Sequence, residues 1–242
     1  MPELLREEFT LRETKVKIIS DSQQGITAAK EKIFSERKAL EAYTKIHPEF
    51  LSSLKPLKLK KGAPKIAKEM ASAALLAGVG PMAAVAGAIA EHACKAMVEA
   101  GAKTALVENG GDCFAVANQP ITVGLFAGNN LLKDRLAFRL EKGTRISFCS
   151  SSGTMGHSFS LGKCDLATVF AKKGAVADAF ATALANRIKG EEDIAKALRW
   201  LKKSKKVAGA IAVKAGKIGF CGKIPRLVKN ADTALSAKIT SF

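Results

Sequence analysis

Apolar and polar residues alternate along FTLRETKVKIIS (9–20), the two-residue period of an extended strand or a hairpin. SDSQQGITAAKEKIFSERKALEAYTKIHPEF then reads as a helix, with Asp21 or Ser22 available to cap its start and His47-Pro48 ending it. Two small-residue helices follow, PKIAKEMASAALLAGV and MAAVAGAIAEHACKAMVEAG, separated by a turn at GVGP. The short apolar runs KTALVE, DCFAVA, ITVGLF, LAFRL and TRISFC read as strands, the first two joined at Asn109-Gly110-Gly111. Beyond a glycine and serine loop come the strand CDLATVFA, a helix over 177–189 and the amphipathic helix EEDIAKALRWLKKS. Two last strands, VAGAIAV and KIGFCG, meet at Lys-Ala-Gly, a hairpin signal. Strands joined by short turns, with helices in groups, predict an α+β fold built on antiparallel sheet.

The lysine-rich passage with Pro56 and Pro64 connects a front part to a main body. It divides the chain into a strand and helix segment, 1–63, packed on a core, 64–242, the two expected to form one continuous unit. A length of 242 residues, 48% of them hydrophobic, suffices for a substantial core. The most apolar stretch, ALLAGVGPMAAVAGAIAEHA, is rich in alanine and broken by Pro81, so it reads as buried helix and not as a membrane span. The N-terminus is charged almost from its first residue, which is unlike a secretion signal, and Cys94, Cys113, Cys149, Cys164 and Cys221 have neither paired nor zinc-like spacing. A cytoplasmic protein with reduced, mostly buried thiols is expected.

Formal charge is +17, concentrated in KPLKLKKGAPKIAK, LKKSKK and KIPRLVK, and favours an anionic partner. No aromatic residues interleave with those lysines to stack bases, so a solvated basic surface is preferred over specific nucleic-acid binding.

Oxygen and glycine chemistry gathers in four places. GVGPMA (78–83) fits G-x-G-x-x-A, but follows a helix where a dinucleotide fingerprint needs a strand; Gly78 and Gly80 serve either close helix packing or a phosphate at a helix start. In ENGGD (108–112), Gly110 and Gly111 permit close approach to the backbone, while Asn109 and Asp112 add polar groups beside it. SSSGTMGHS (150–158) offers unobstructed donors at Ser152, Gly153 and Thr154 together with His157, whereas His47 and His92 sit in structural surroundings. In GAVADAFATALANRIK (174–189), Asp178 and Thr182 share one face of a helix a turn apart. Those two oxygens could cap the helix, bond back to its carbonyls or hold a hard metal ion.

Taken in order, GVGPMAAVAGAIAE, ENGGD, SSGTMGHSFSLGKCDLATVFA and ADAFATALA resemble an uncharacterised ApbE-like family of bacterial and archaeal proteins, related to the FAD:protein FMN transferase ApbE. The resemblance runs through nearly the whole chain, HPEF and PLK included; to ApbE proper it is looser and covers about 75–190. It implies an ApbE-like α+β fold in which Mg2+ lies between FAD phosphates and the Asp and Thr of A-D-x-x-x-T, matched here by Ala177, Asp178 and Thr182. It also implies a metal-binding backbone carbonyl from the helix pattern A-K-G-x-x-x-D. Val85 to Glu91 stands at that pattern, with Ala86 for the Lys and Glu91 for the Asp. Gly110, Gly111 and Asp112 match a turn at the flavin, and Ser152, Gly153 and His157 match part of the family's S-G…H-I-x-D-P-x-T-G, whose D-P-x-T-G portion is missing.

The expected function is therefore binding of FAD or a related anionic nucleotide with Mg2+, and transfer of FMN to an acceptor protein or cleavage of the diphosphate. Asp178, Thr182 and Val85 would hold the metal, and His157 would move a proton. The alternatives are a non-catalytic flavin or nucleotide binder and, less favoured, a basic nucleic-acid-binding protein. The small-residue helices fit burial within one subunit or within a homo-oligomer.

Overall fold

The computed structural model describes residues 3–11, 14–124, 136–153 and 163–229. The alternating N-terminal stretch forms a hairpin, β1 (Leu5–Leu11) and β2 (Thr14–Ser20). It leads into the long helix α1 (Gln23–Ile46), whose start is capped by the Ser22 hydroxyl, accepting from the Gly25 N–H at 3.1 Å. Asp21, the other candidate cap, instead accepts the N–H groups of Lys103 and Thr104 and ties this corner to the start of the next strand. A short helix α2 (Glu49–Ser52) and the lysine-rich connection lead to α3 (Lys65–Ala77). At Pro81–Ala84 a 3-10 turn breaks the apolar stretch and bends its course by 103° before α4 (Val85–Glu99). Among the described residues no single helix is long and apolar enough to cross a membrane.

The strands that follow are β3 (Ala105–Asn109), β4 (Asp112–Val116), β5 (Ile121–Gly124), β6 (Leu136–Leu140), β7 (Arg145–Ser151) and β8 (Leu166–Ala171). Then come α5 (Gly174–Ala185), α6 (Asp193–Lys202), β9 (Val207–Lys214), β10 (Lys217–Gly222) and β11 (Arg226–Lys229). Eight strands make one antiparallel sheet in the order β1-β2-β3-β4-β7-β8-β9-β10, and β11-β6-β5 make a second. The fold is α+β. Residues 1–63 enter this architecture directly, because β2 pairs with β3 and α1 packs on α4.

Both faces of the central strands are covered, so their alternate residues feed two cores. Val107, Phe114, Cys149 and Val169 face the helices, with α5 buried along nearly its whole length. Leu106, Cys113, Phe148 and Phe170 face the other way and meet Ile121, Phe138 and Leu140 of β5 and β6. There Phe138 and Phe170 pack edge to face with ring centroids 4.9 Å apart, an arrangement worth about 1 kcal/mol beyond area burial.

The helix expected over 177–189 starts three residues earlier, at Gly174, and ends at Ala185. That shift changes the meaning of Asp178. It lies a full turn inside α5, too deep to cap its own helix, and its carboxylate serves a different one.

Candidate functional site

Helices α4 and α5 cross where neither has a side chain. A Cβ on Gly87 would stand 2.9 Å from the Asp178 Cβ, and one on Gly174 would stand 2.6 Å from the Gly87 carbonyl carbon. Neither helix receives a side-chain cap from the residue preceding it. Asp178 Oδ2 instead accepts the Gly87 N–H at 2.9 Å, at the open N-terminus of α4. Burial pushes the Asp178 pKa up to about 7, against the hydrogen bonds from Gly87 and Ala86 that hold it down.

A second carboxylate closes on the same place. Asp112 begins β4, accepts the Ser150 N–H at 3.2 Å, and is raised well above the ordinary carboxylate range, first by burial and then by the Asp178 charge. Cys149 of β7 lies beside Asp112, with its thiol donating to the Gly174 carbonyl at 3.8 Å. Its own pKa is raised by burial and by the charges of Asp112 and Asp178, so the sulfur remains a protonated donor. Asn109, 3% exposed, donates its amide N–H to the Ala86 carbonyl at 3.2 Å; its Oδ1 is buried without a partner among the described residues. The sequence-predicted residues Asn109, Asp112 and Asp178 are thus brought together at the start of α4, where Val85 is the first helical residue.

Gly110 and Gly111 have φ of 61° and 91°, and the register pairs Asn109 with Asp112. A two-residue hairpin with positive φ at both central positions needs glycine twice, so the second glycine has a backbone reason as well as any ligand reason. Thr182 is half-buried one turn beyond Asp178, and among the described residues no hydrogen bond engages its hydroxyl. Ser152 and Gly153 leave β7 and bond to the Cys164 carbonyl, Gly153 N–H at 2.8 Å. Thr154 and His157 lie outside the described residues.

Gly78 and Gly80 belong to the chain reversal. Gly78 ends α3 in a left-handed conformation, and a Cβ on Gly80 would collide with the Ser53 carbonyl oxygen. The helix before them is the one the sequence indicated in place of the strand of a dinucleotide site. The lysines of 55–61 and 202–206 are exposed, the solvated surface expected of them.

Three roles were not read from the sequence. Cys149, expected only as a reduced, buried thiol, lies beside Asp112. His92, assigned a structural setting, sits at 6% exposure between Glu36 of α1 at 2.8 Å and Glu69 of α3 at 2.7 Å. Burial alone would lower its pKa, but the hydrogen bonds to Glu69 and Glu36 prevail and raise it. Glu91, at 1% exposure, accepts the Gly174 N–H at 2.6 Å and thereby supplies the missing cap of α5. A signal for it existed: GAIAE (87–91) and GAVAD (174–178) are near copies, each placing a carboxylate four residues after a glycine.

Among the described residues no three His, Cys, Asp or Glu side chains gather as a metal cluster. The oxygen donors present, two buried carboxylates and the Thr182 hydroxyl, suit a hard cation such as Mg2+, which takes one or two carboxylates and completes its shell with water and phosphate. Two carboxyl groups whose charged forms are disfavoured by burial are the kind of surroundings that a cation relieves.

Residues 3–217 match the family described as "AbpE bacteria". The chain belongs to this family. A UPF0280 protein of Methanocaldococcus jannaschii is 41% identical over 230 residues, covering 93% of each chain. One from Methanosarcina barkeri is 38% identical over 226 residues, covering 93% of this chain and 89% of its own. Among solved structures, the ApbE protein of Thermotoga maritima superposes with a TM-score of 0.57 at 14% identity, covering 90% of this chain and 96% of its own. The flavin transferase ApbE of Vibrio cholerae, as a mutant, gives 0.56 at 13% identity, covering 90% and 97%. At such identities the likeness establishes the ApbE fold.

Proposed function

We propose that the protein binds FAD, or a nucleotide diphosphate like it, together with Mg2+ at the junction of α4, α5 and the β3–β4 turn, and acts across the diphosphate. The observation that carries this reading is the placement of Asp178: in an ApbE fold, the A-D-x-x-x-T carboxylate is buried against the start of α4, facing Asp112, with the Thr182 hydroxyl one turn further on. Asp178 and Thr182 would hold the cation, with the Val85 carbonyl contributing from the first residue of α4. When bound, Mg2+ would neutralise charge on the diphosphate. Asp112, fixed by the Ser150 N–H, lines the opposite wall, and the side-chain-free Gly110-Gly111 turn leaves room for a planar ring to approach. His157 is the proposed proton carrier, and transfer would deliver FMN to a hydroxyl of an acceptor protein.

Calorimetry of FAD with and without Mg2+, on the wild type and Asp178→Ala, tests the reading. Mg2+-dependent binding that the variant loses is expected, and binding left unchanged by the substitution would remove the metal role. A second reading, binding without turnover, is favoured by Ala86 at the position of the family's Lys and by the missing D-P-x-T-G portion. Release of AMP from FAD would exclude it.

A further inference from the structure

The two halves of the α4–α5 crossing are chemically alike. GAIAE on α4 and GAVAD on α5 meet at the Gly87–Gly174 contact, and each terminal carboxylate accepts an N–H from the other segment's glycine. Asp178 caps α4 at 2.9 Å, while Glu91 caps α5 at 2.6 Å. The two caps differ in charge balance. Glu91 is neutralised by Lys95 at 2.6 Å and Lys173 at 3.2 Å, and its pairing with Lys173 raises that lysine's pKa. Asp178 has no basic partner among the described residues and bears the full cost of its burial. One cap is thus a settled ion cluster; the other is a carboxylate held only by backbone amides and ready for a cation.

We infer that Glu91 is the positioning residue for Asp178, forming with it a reciprocal latch in which the lysine-neutralised Glu91 cap fixes the first turn of α5 and so sets the Asp178 carboxylate at the start of α4. The consequence for ligand binding rests on the proposal that Asp178 holds a cation; the latch itself does not. Glu91 touches neither ligand nor reacting atoms in this account. It acts through the Gly174 amide, as outer-shell partners act on metal ligands.

The test compares Glu91→Ala, Glu91→Gln and Asp178→Asn by the amide proton shifts of Gly87 and Gly174 in protein labelled with 15N-glycine, and by calorimetry of Mg2+ with FAD. Glutamine retains an acceptor for the Gly174 N–H, whereas alanine leaves that donor buried and unpaired. Glu91→Ala is expected to move both glycine signals and weaken Mg2+-dependent FAD binding by about 10- to 100-fold. Glu91→Gln should largely restore both, and Asp178→Asn should move the Gly174 signal as well as that of Gly87. Should Glu91→Ala fail to fold, Glu91→Asp, whose shorter side chain withdraws the acceptor, takes its place with the same expectation. Movement of the Gly174 signal alone would overturn the inference, because Glu91 would then be a local cap. If wild-type protein binds no FAD with Mg2+, the proposed function fails while the two glycine signals still decide the latch.

Discussion

Gly174→Ala puts the helix crossing under direct load. The added Cβ would collide with the Gly87 carbonyl oxygen and stand 2.6 Å from its carbon, where ordinary contact begins at 3.4 Å; the carbon alone requires the helices to part by about 0.8 Å, and the oxygen requires more. The same movement would stretch the 2.6 Å bond from the Gly174 N–H to Glu91 to about 3.4 Å or more, beyond useful hydrogen-bond range. Overpacking costs about 1–3 kcal/mol, and loss of a cap adds roughly 0.5–2 kcal/mol, giving an expected destabilisation of about 1.5–5 kcal/mol. For a chain of this size that lowers Tm by roughly 3–20 °C. Gly78→Ala is the control: its φ of 75° disfavours alanine, but the site is open, so only the left-handed penalty of about 1–2 kcal/mol applies. Thermal unfolding by circular dichroism compares the two variants, and FAD calorimetry should show binding weakened by Gly174→Ala and retained by Gly78→Ala. A smaller Tm loss for Gly174→Ala than for Gly78→Ala, with binding intact, would refute the argument that close approach at this crossing builds the site.

Two further outcomes are expected. The Glu36–His92–Glu69 cluster makes stability depend on pH: the raised His92 pKa contributes stability that is complete below about 6.5 and lost as pH rises through the folded value. The lowered Glu69 pKa, set chiefly by its hydrogen bond to His92 against burial, contributes stability that is lost as pH falls below the ordinary glutamate range. Urea unfolding of wild type and His92→Gln should therefore differ most in mildly acidic buffer and converge at alkaline pH; a constant difference would contradict the ion-cluster account. Thiol labelling of the native protein with iodoacetamide should modify Cys221 first, since it alone of the five cysteines is not buried and burial holds the other thiols in their unreactive form. Prior modification of Cys149 would contradict its enclosed position beside Asp112.

The sequence made the strands legible because their apolar runs are short and separated by turn residues, and it located the Asn109–Asp112 hairpin from its glycines. It also marked Asp178 and Thr182, since four-residue spacing on a helix is a local property. What Asp178 does was less accessible. Its partner is the Gly87 amide, 91 positions away in the chain, and such a bond leaves no mark within the A-D-x-x-x-T segment. The start of α5 was misplaced for the same reason: Gly174 is a poor local helix former, and the group that stabilises it there is Glu91 of another helix. His92 looked ordinary because the alanine-rich α4 carries nothing to suggest two glutamates arriving from α1 and α3. The strands and the Asn109–Asp112 hairpin, which the fold contains, are features set by near neighbours.

In the proposed function, Asp178 and Thr182 hold a cation against a diphosphate. Anomalous diffraction from crystals grown with FAD and Mn2+ in place of Mg2+ locates that cation. A single anomalous peak about 2.0–2.2 Å from the Asp178 carboxylate and the Thr182 hydroxyl, with phosphate oxygens completing its shell, is the expected result. FAD bound with Mn2+ absent from Asp178, or Mn2+ bound elsewhere on the chain, would contradict it.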